Sequence, residues 1–225
     1  MMTPLDRLLK ASPWAEALSP VLRARVEMET TTRLCAAGSH VCRKGEPVEH
    51  WIGVVDGLVK MTNVSVEGKP MSFTGIGSGG WFGEGSLLKS EPRRYDIVAL
   101  RDSTVAAMPR GTFMALLDSS VPFNRHIITQ LNERLAQFIG MVENDRLLGP
   151  DARLARSLAG LFNPVLYPGS GPTLPLSQEE MGQLVGLSRQ RVNQALNTLE
   201  RAGLVRVDYG GITVLDLPGL RRFEG

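Results

Sequence analysis

Two stretches of this 225-residue chain carry side chains whose types and spacing could do chemistry. The first is "SRQRVNQALNTLER" at 188–201. Wound as a helix, at about 100° per residue, it gathers Val192, Ala195, Leu196 and Leu199 on one side. Opposite them fall Gln190, Asn193, Gln194, Asn197 and Arg201, with Arg189 in the first turn and Arg191 flanking the face. Gln and Asn can each bond bidentately to the N6/N7 edge of adenine, and Arg suits guanine or a phosphate. Arg189, Gln190, Asn193 and Gln194 are therefore expected at base edges of double-stranded DNA, and Ser188, Arg191, Arg201 and Arg206 at phosphates. The second stretch, "WFGEGSLLKSEPRR" at 81–94, joins Gly83 and Glu84 to Arg93 and Arg94. Such a loop is either a cradle for a small phosphorylated ligand or a pocket-shaped turn that holds the protein together.

Each stretch needs a frame. Ahead of the polar helix, Ser177 and Glu180 have the spacing of a capping box that opens a preceding helix, with Met181, Leu184 and Val185 as its apolar face. Gly186 makes the turn and Ser188 is the expected N-cap of the second helix. Beyond Gly203, "LVRVDYGGITVLD" predicts a hairpin with Gly210-Gly211 at its tip. A helix-turn-helix followed by such a wing is far more specific for DNA than a helix pair alone. Residues 26–109, which hold the Gly83–Glu84 loop, read as short strands punctuated by glycine, with a hairpin expected at Asp56-Gly57 and further strands on either side of Arg101-Asp102. That pattern fits a small sandwich or barrel. "LSPVLRARVEMETTTRL" predicts a helix leading into its first strand.

Between the two lies a breaker-poor segment, 123–148, in which Ile128, Leu131, Leu135, Phe138 and Val142 repeat at 3-4-3-4 spacing. This is the seam of a coiled coil, on a helix spanning roughly 39 Å, and it predicts a homodimer. Gly149-Pro150 ends that helix, "DARLARSLAGLF" starts another, and a proline and glycine loop occupies 164–175. The expected division is 1–120, 121–148 and 149–225.

Composition narrows the function classes. The formal net charge is +2, and residues 151–225 carry eight Lys and Arg against seven Asp and Glu. With no diffuse basic cloud, non-specific DNA binding is expected to be weak and affinity to depend on two-fold pairing. Two cysteines, Cys35 and Cys42, are too few for an all-cysteine metal site and read as small buried hydrophobes, with a thiol switch as the alternative. His40, His50 and His126 are read as surface or structural residues rather than haem ligands. No metal constellation, nucleophile elbow or P-loop is legible, and no enzyme is expected. No stretch approaches the roughly 18 apolar residues of a membrane span, and the first twenty residues lack a signal-peptide core. A cytoplasmic protein with no membrane partner is expected.

The segments "WIGVVDGLVK", "GGWFGEGSLL", "STVAAMPRGTFMALL" and "LSQEEMGQLVGLSRQRVNQALNTLERAGLV" together resemble the cyclic-nucleotide-receptor and fumarate-nitrate-reduction-regulator (CRP/FNR) family over nearly the whole chain. The resemblance implies an α+β fold: a double-stranded β-roll that senses an effector, a long dimerisation helix and a C-terminal winged helix-turn-helix. It further implies a homodimeric transcription regulator on two-fold symmetric sites, in contact with RNA polymerase. In the family's cyclic-nucleotide branch the positions of Gly83, Glu84 and Arg94 hold the sugar and cyclic phosphate. This chain departs from that pattern at Tyr95, usually a serine or threonine, and at Phe138, which matches a threonine that meets the base. Gln190 stands for the family's glutamate, and Gln194 for a later arginine. What the resemblance leaves open is whether a cyclic nucleotide or another small effector binds, or whether the β-roll is structural and the regulator effector-independent. No cofactor is otherwise implied.

Overall fold

The computed structural model describes residues 2–65, 70–209 and 211–225. Three short helices open the chain: α1 (Pro4–Lys10), α2 (Pro13–Glu16) and α3 (Pro20–Glu29). Each begins on proline, whose fixed φ and missing N–H suit a first helical position. Eight strands follow, β1 (Thr31–Cys35), β2 (His40–Cys42), β3 (His50–Asp56), β4 (Leu58–Val64), β5 (Pro70–Gly77), β6 (Trp81–Phe82), β7 (Asp96–Ala99) and β8 (Ser103–Pro109). A short helix, α4 (Glu84–Lys89), separates β6 from β7. Helices α5 (Arg110–Ser119), α6 (Val121–Leu147) and α7 (Pro150–Gly160) come next. The C-terminal part is β9 (Thr173–Leu174), α8 (Gln178–Val185), α9 (Arg189–Arg201), β10 (Val205–Asp208), β11 (Gly211–Val214) and α10 (Leu217–Arg222).

The strands β1 to β8 form two four-stranded antiparallel sheets, ordered β1-β8-β3-β6 and β2-β7-β4-β5. This corrects one expectation. Asp56-Gly57 does not close a hairpin, because β3 and β4 lie in different sheets and the chain crosses between layers there. Gly57 makes that corner at φ +103°, and a Cβ on it would sit 2.3 Å from the hydroxyl of Ser103, at the matching β7–β8 crossing. A local glycine signal marks a sharp turn; whether the flanking strands then pair is decided by distant partners. The interior between the sheets holds Val54, Val59, Met61, Ile76, Phe82, Ile97 and Val105, all nearly inaccessible.

Helix α6 is tied to the β-roll at its start. Phe123 packs edge-on to Trp14 and Trp51, at 5.2 and 5.6 Å between ring centroids, and Trp51 stacks on Trp81 at 4.3 Å. Further along, its inner face presents Ile127, Gln130 and Arg134, all buried, to the sheet bearing β6. The outer face leaves Ile128, Leu131, Leu135, Ile139 and Val142 exposed. Phe138 is not in that open stripe. It turns inward to lie edge-on to Phe73 at 6.4 Å, and Ile139 takes its place in the row.

The C-terminal unit has a core of its own. Leu154, Leu158, Met181, Val192, Ala195, Leu196, Leu199 and Leu220 pack together, so α7 to α10 fold round one apolar centre. The hairpin β10–β11 is extended by β9 into a three-stranded wing. The expected tip residue Gly210 lies outside the described residues; Gly211 pairs with Asp208.

Candidate functional site

The helix-turn-helix is built by local chemistry. Ser177 accepts from the backbone N of Glu180 at 3.2 Å, and Glu180 Oε2 accepts from the backbone N of Ser177 at 2.7 Å, closing the capping box of α8. Leu187 N donates to the carbonyl of Gly182 across the turn, and a Cβ on Gly182 would come within 2.7 Å of the Leu187 carbonyl oxygen. Only a glycine allows the turn to fold that tightly against α8. Ser188 then caps α9, accepting from Arg191 N at 3.2 Å.

Helix α9 divides as its sequence implies. Val192, Ala195, Leu196 and Leu199 are buried, while Ser188, Arg189, Gln190, Asn193, Gln194, Asn197 and Arg201 are exposed. The amides are partly ordered: Asn197 Nδ2 donates to Asn193 Oδ1 at 3.1 Å, and Asn193 Nδ2 to Gln178 Oε1 on α8 at 3.2 Å. Among the described residues, Arg189 and Gln190 have no such tie. Arg191 does not lie free; its guanidinium is 2.5 Å from Asp151 at the start of α7. Arg206 pairs with Asp208 at 3.1 Å on the wing, where both are exposed. Tyr209, beside them, is fully exposed, an aromatic at the wing tip that sequence reading passed over.

The β-roll chamber assembles differently from its sequence reading. Gly83 caps α4 and Glu84 begins it, with the Glu84 carboxylate buried. Trp51 Nε1 donates to Glu84 Oε2 at 3.4 Å, and Arg134 of α6 stands 3.8 Å from Oε1. Arg94 is not brought in. Its side chain faces solvent and holds Glu91 at 2.5 Å. Arg93 instead is buried against the loop, donating to the carbonyl of His50 at 3.1 Å. Tyr95 and Phe138 do reach the chamber and pack on its apolar lining. Burial, with Glu84 next, pushes the Tyr95 hydroxyl up to about 12, so it stays a neutral donor.

Arg134 is the residue the sequence reading missed. Burial alone would lower its pKa, but Glu84 opposite, with Tyr167 and Tyr95 nearby, carries it above the ordinary value. The signal was present: Ile127, Gln130, Arg134, Gln137 and Phe138 follow helical spacing on a second face, in which three polar residues lie between two apolar ones. Arg134 Nη2 and Gln130 Nε2 both donate to the carbonyl of Trp81, at 3.0 and 3.2 Å. Its Nη1 is buried without a partner among the described residues. The chamber is therefore an acid and a guanidinium facing each other in an apolar shell.

The cysteines fit the bland reading. Cys35 and Cys42 are free and buried, and burial pushes the Cys42 thiol up to about 11, far from the thiolate a redox switch requires. Among the described residues no group of three or more His, Cys, Asp or Glu could hold a metal ion, and no helix is long and apolar enough to cross a membrane.

Comparison with known proteins covers both halves of the chain. The family model for the cyclic nucleotide-binding domain matches residues 32–120, and that for the Crp-like helix-turn-helix domain matches residues 152–223. The chain is 28% identical over 206 residues to the cyclic AMP receptor protein of Thermus thermophilus, covering 92% of this chain and 94% of that protein. It is 25% identical over 221 residues to a CRP-like cAMP-activated global transcriptional regulator of Mycobacterium tuberculosis, covering 97% and 99%. A crystal structure of a CRP/FNR-family transcriptional regulator from Thermus thermophilus superposes with a TM-score of 0.60 at 26% identity, over 87% of this chain and 100% of that one.

Proposed function

Because the chain belongs to the CRP/FNR family of DNA-binding transcription regulators, we propose that it acts as a cytoplasmic homodimer on a two-fold symmetric duplex, modulated by a small effector in its β-roll. Residues 1–120 would sense, 121–148 would pair the protomers, and 149–225 would bind DNA. The observation that carries this reading is the open, amide-bearing side of α9 opposite a fully buried apolar side. Arg189, Gln190, Asn193 and Gln194 would meet base edges, with the Asn197–Asn193–Gln178 chain holding one amide ready. Ser188, Arg191, Arg201 and Arg206 would meet phosphates, Arg191 and Arg206 exchanging a carboxylate for a phosphate as they do so. Contact with RNA polymerase is proposed by analogy with the family.

The direct test is selection of bound duplexes from a random pool, with the wild type and with Gln190→Glu. Gln favours adenine and Glu accepts from cytosine N4, so one base step in each half-site should change, by about 1–3 kcal/mol. Identical motifs from the two proteins would remove Gln190 from the base-reading set.

The effector is proposed to differ from the cyclic AMP named for the relatives. Arg94 turns away from the chamber, Tyr95 stands where a small hydroxyl would serve a phosphate, and Phe138 offers a ring where a hydroxyl would meet the base. Two missing polar contacts at about 1 kcal/mol each weaken binding by tenfold or more together. A second reading, effector-independent regulation, is favoured by a specific observation: Leu166 and Tyr167, from the C-terminal part of the chain, already lie buried in the β-roll core. Calorimetric titration with cyclic AMP, cyclic GMP and cyclic di-GMP separates the readings. Dissociation constants above about 1 mM, roughly 4 kcal/mol, for all three favour the second.

A further inference from the structure

The loop between α7 and β9 belongs by sequence to the winged helix and by packing to the β-roll. Asn163 shapes it: Oδ1 accepts from the backbone N of Val165 and of Leu166, both at 2.9 Å, and Nδ2 donates to Glu133 of α6 at 2.7 Å. The loop thereby aims Leu166 and Tyr167 inward, where they are 1% and 2% exposed, among the strand residues Val54, Ile76 and Phe82. The Tyr167 hydroxyl accepts from Gln137 Nε2 at 3.1 Å and shares a hydrogen bond with Thr74 at 3.4 Å. Behind the ring the two backbones touch. A Cβ on Gly79 would lie 2.7 Å from the nitrogen of Gly169, and one on Gly169 would lie 2.6 Å from the carbonyl oxygen of Ser78. A surface loop that folds back casually has no need of two facing glycines.

The ring occupies the same apolar lining as Tyr95 and Phe138, beside the buried Arg134 that faces Glu84. We propose that Tyr167 is a tethered plug: it fills the β-roll chamber from within the chain and so latches the DNA-binding unit onto the β-roll in a low-affinity state. The latch has a second set of contacts. Arg101 grips Glu180 of α8 through Nε and Nη2 at 2.6–3.0 Å, Lys60 Nζ donates to Gln183 at 2.9 Å, and Leu184 rests on Gly75, whose missing Cβ would be 3.2 Å away. Docked in this way, the turn before α9 and Arg189 face Lys60, Met71 and Ser72 across a cleft of about 590 Å³. A duplex entering at the N-terminus of α9 meets that wall. Filling the chamber with anything else expels the ring and frees the unit, while removing the ring does the same without a ligand.

The test compares wild type, Tyr167→Ala and Tyr167→Phe by hydrogen exchange without DNA, and by anisotropy with the duplex that selection recovers. Tyr167→Ala should speed exchange in α8 and β5 while leaving α7 and α9 protected. It should also tighten DNA binding about tenfold, since the competent population rises. Tyr167→Phe, which keeps the ring and loses the hydroxyl's bonds to Gln137 and Thr74, should move both readings the same way by less. A folded Tyr167→Ala protein with wild-type exchange in α8, or with weaker DNA binding, overturns the latch. Should the alanine variant fail to fold, the phenylalanine variant decides on the same two readings. Exchange is read without DNA or effector, so its failure leaves the DNA-reading role intact, and loss of that role leaves the exchange result standing.

Discussion

The outer stripe of α6 sets a measurable demand. Ile128, Leu135, Ile139 and Val142 are 52–59% exposed and Leu131 is 37% exposed, on one side of a 27-residue helix. Fully burying such a side chain is worth about 1.5–3 kcal/mol, so covering the half that remains open is worth about 1 kcal/mol each. Five residues on each of two protomers give about 10 kcal/mol, against an association cost of at least about 4 kcal/mol. The surplus of at most about 6 kcal/mol corresponds to a dissociation constant of about 40 μM, so a dimer in the tens of micromolar is the expected result. Leu135→Glu removes about 1 kcal/mol per protomer and carries a carboxylate from each into an apolar seam, where an unpaired charge costs several kcal/mol. A loss of at least about 4 kcal/mol corresponds to a thousandfold rise in the dimer dissociation constant. Sedimentation equilibrium reads this directly, with Thr129→Glu as the control, because Thr129 is exposed but off the stripe. The reasoning fails if Leu135→Glu sediments like the wild type, or if Thr129→Glu dissociates just as far.

The chamber acid and the loop arginine should respond very unequally to mutation. Glu84→Gln strands the buried Arg134 guanidinium and should cost about 3–5 kcal/mol in denaturant unfolding, whereas Arg94→Ala, at an exposed ion pair, should stay within about 0.5 kcal/mol. Equal effects would mean that Arg134 is not held by Glu84. His126 gives a pH signature: burial lowers its pKa below the ordinary 6.5, with Gln130 and Glu84 opposing, so the unfolded chain binds the proton first as pH falls. Its contribution to stability is present above pH 6.5 and is lost as pH falls through the lowered folded-state pKa; melting temperature should therefore fall as pH drops below 6.5, and His126→Gln should flatten that slope.

What the sequence made legible follows the range of the forces involved. The capping box at Ser177, the Ser188 cap and the two sides of α9 depend on residues within four positions of one another, and each is found as read. The strands were also readable, since alternation and glycine are local. Their pairing was not: Asp56-Gly57 marks a corner between sheets because β3 finds β8 fifty residues away. Phe138 illustrates the same limit. Its 3-4 spacing suits the outer seam, but the inward side of α6 had a second stripe, and contact with Phe73 decided the ambiguity. Arg94 and Arg93 are neighbours in sequence, and only the three-dimensional loop determines which one turns in. Tyr167 was the least legible of all, an aromatic in a proline and glycine loop whose partner surface is built from residues ninety positions earlier.

Glu180 connects the local and the distant parts of this architecture. One oxygen, Oε2, accepts from Ser177 N at 2.7 Å and from Arg101 Nη2 at 2.6 Å, while Oε1 takes the remaining bonds from Arg101. The carboxylate thus caps α8 within the DNA-binding unit and anchors that unit to the β-roll. Release of Arg101 leaves the cap in place, because the Ser177 bond needs no partner outside the unit. The apolar centre of α7 to α10 is built mostly from the unit's own side chains, with Leu58 of the β-roll buried in it and Leu100 packed against it. Undocking therefore uncovers the face that meets Leu58 and leaves the rest of that centre in place. A helix-turn-helix built this way can change its position without changing its shape, and the reading side of α9 is already exposed before it moves.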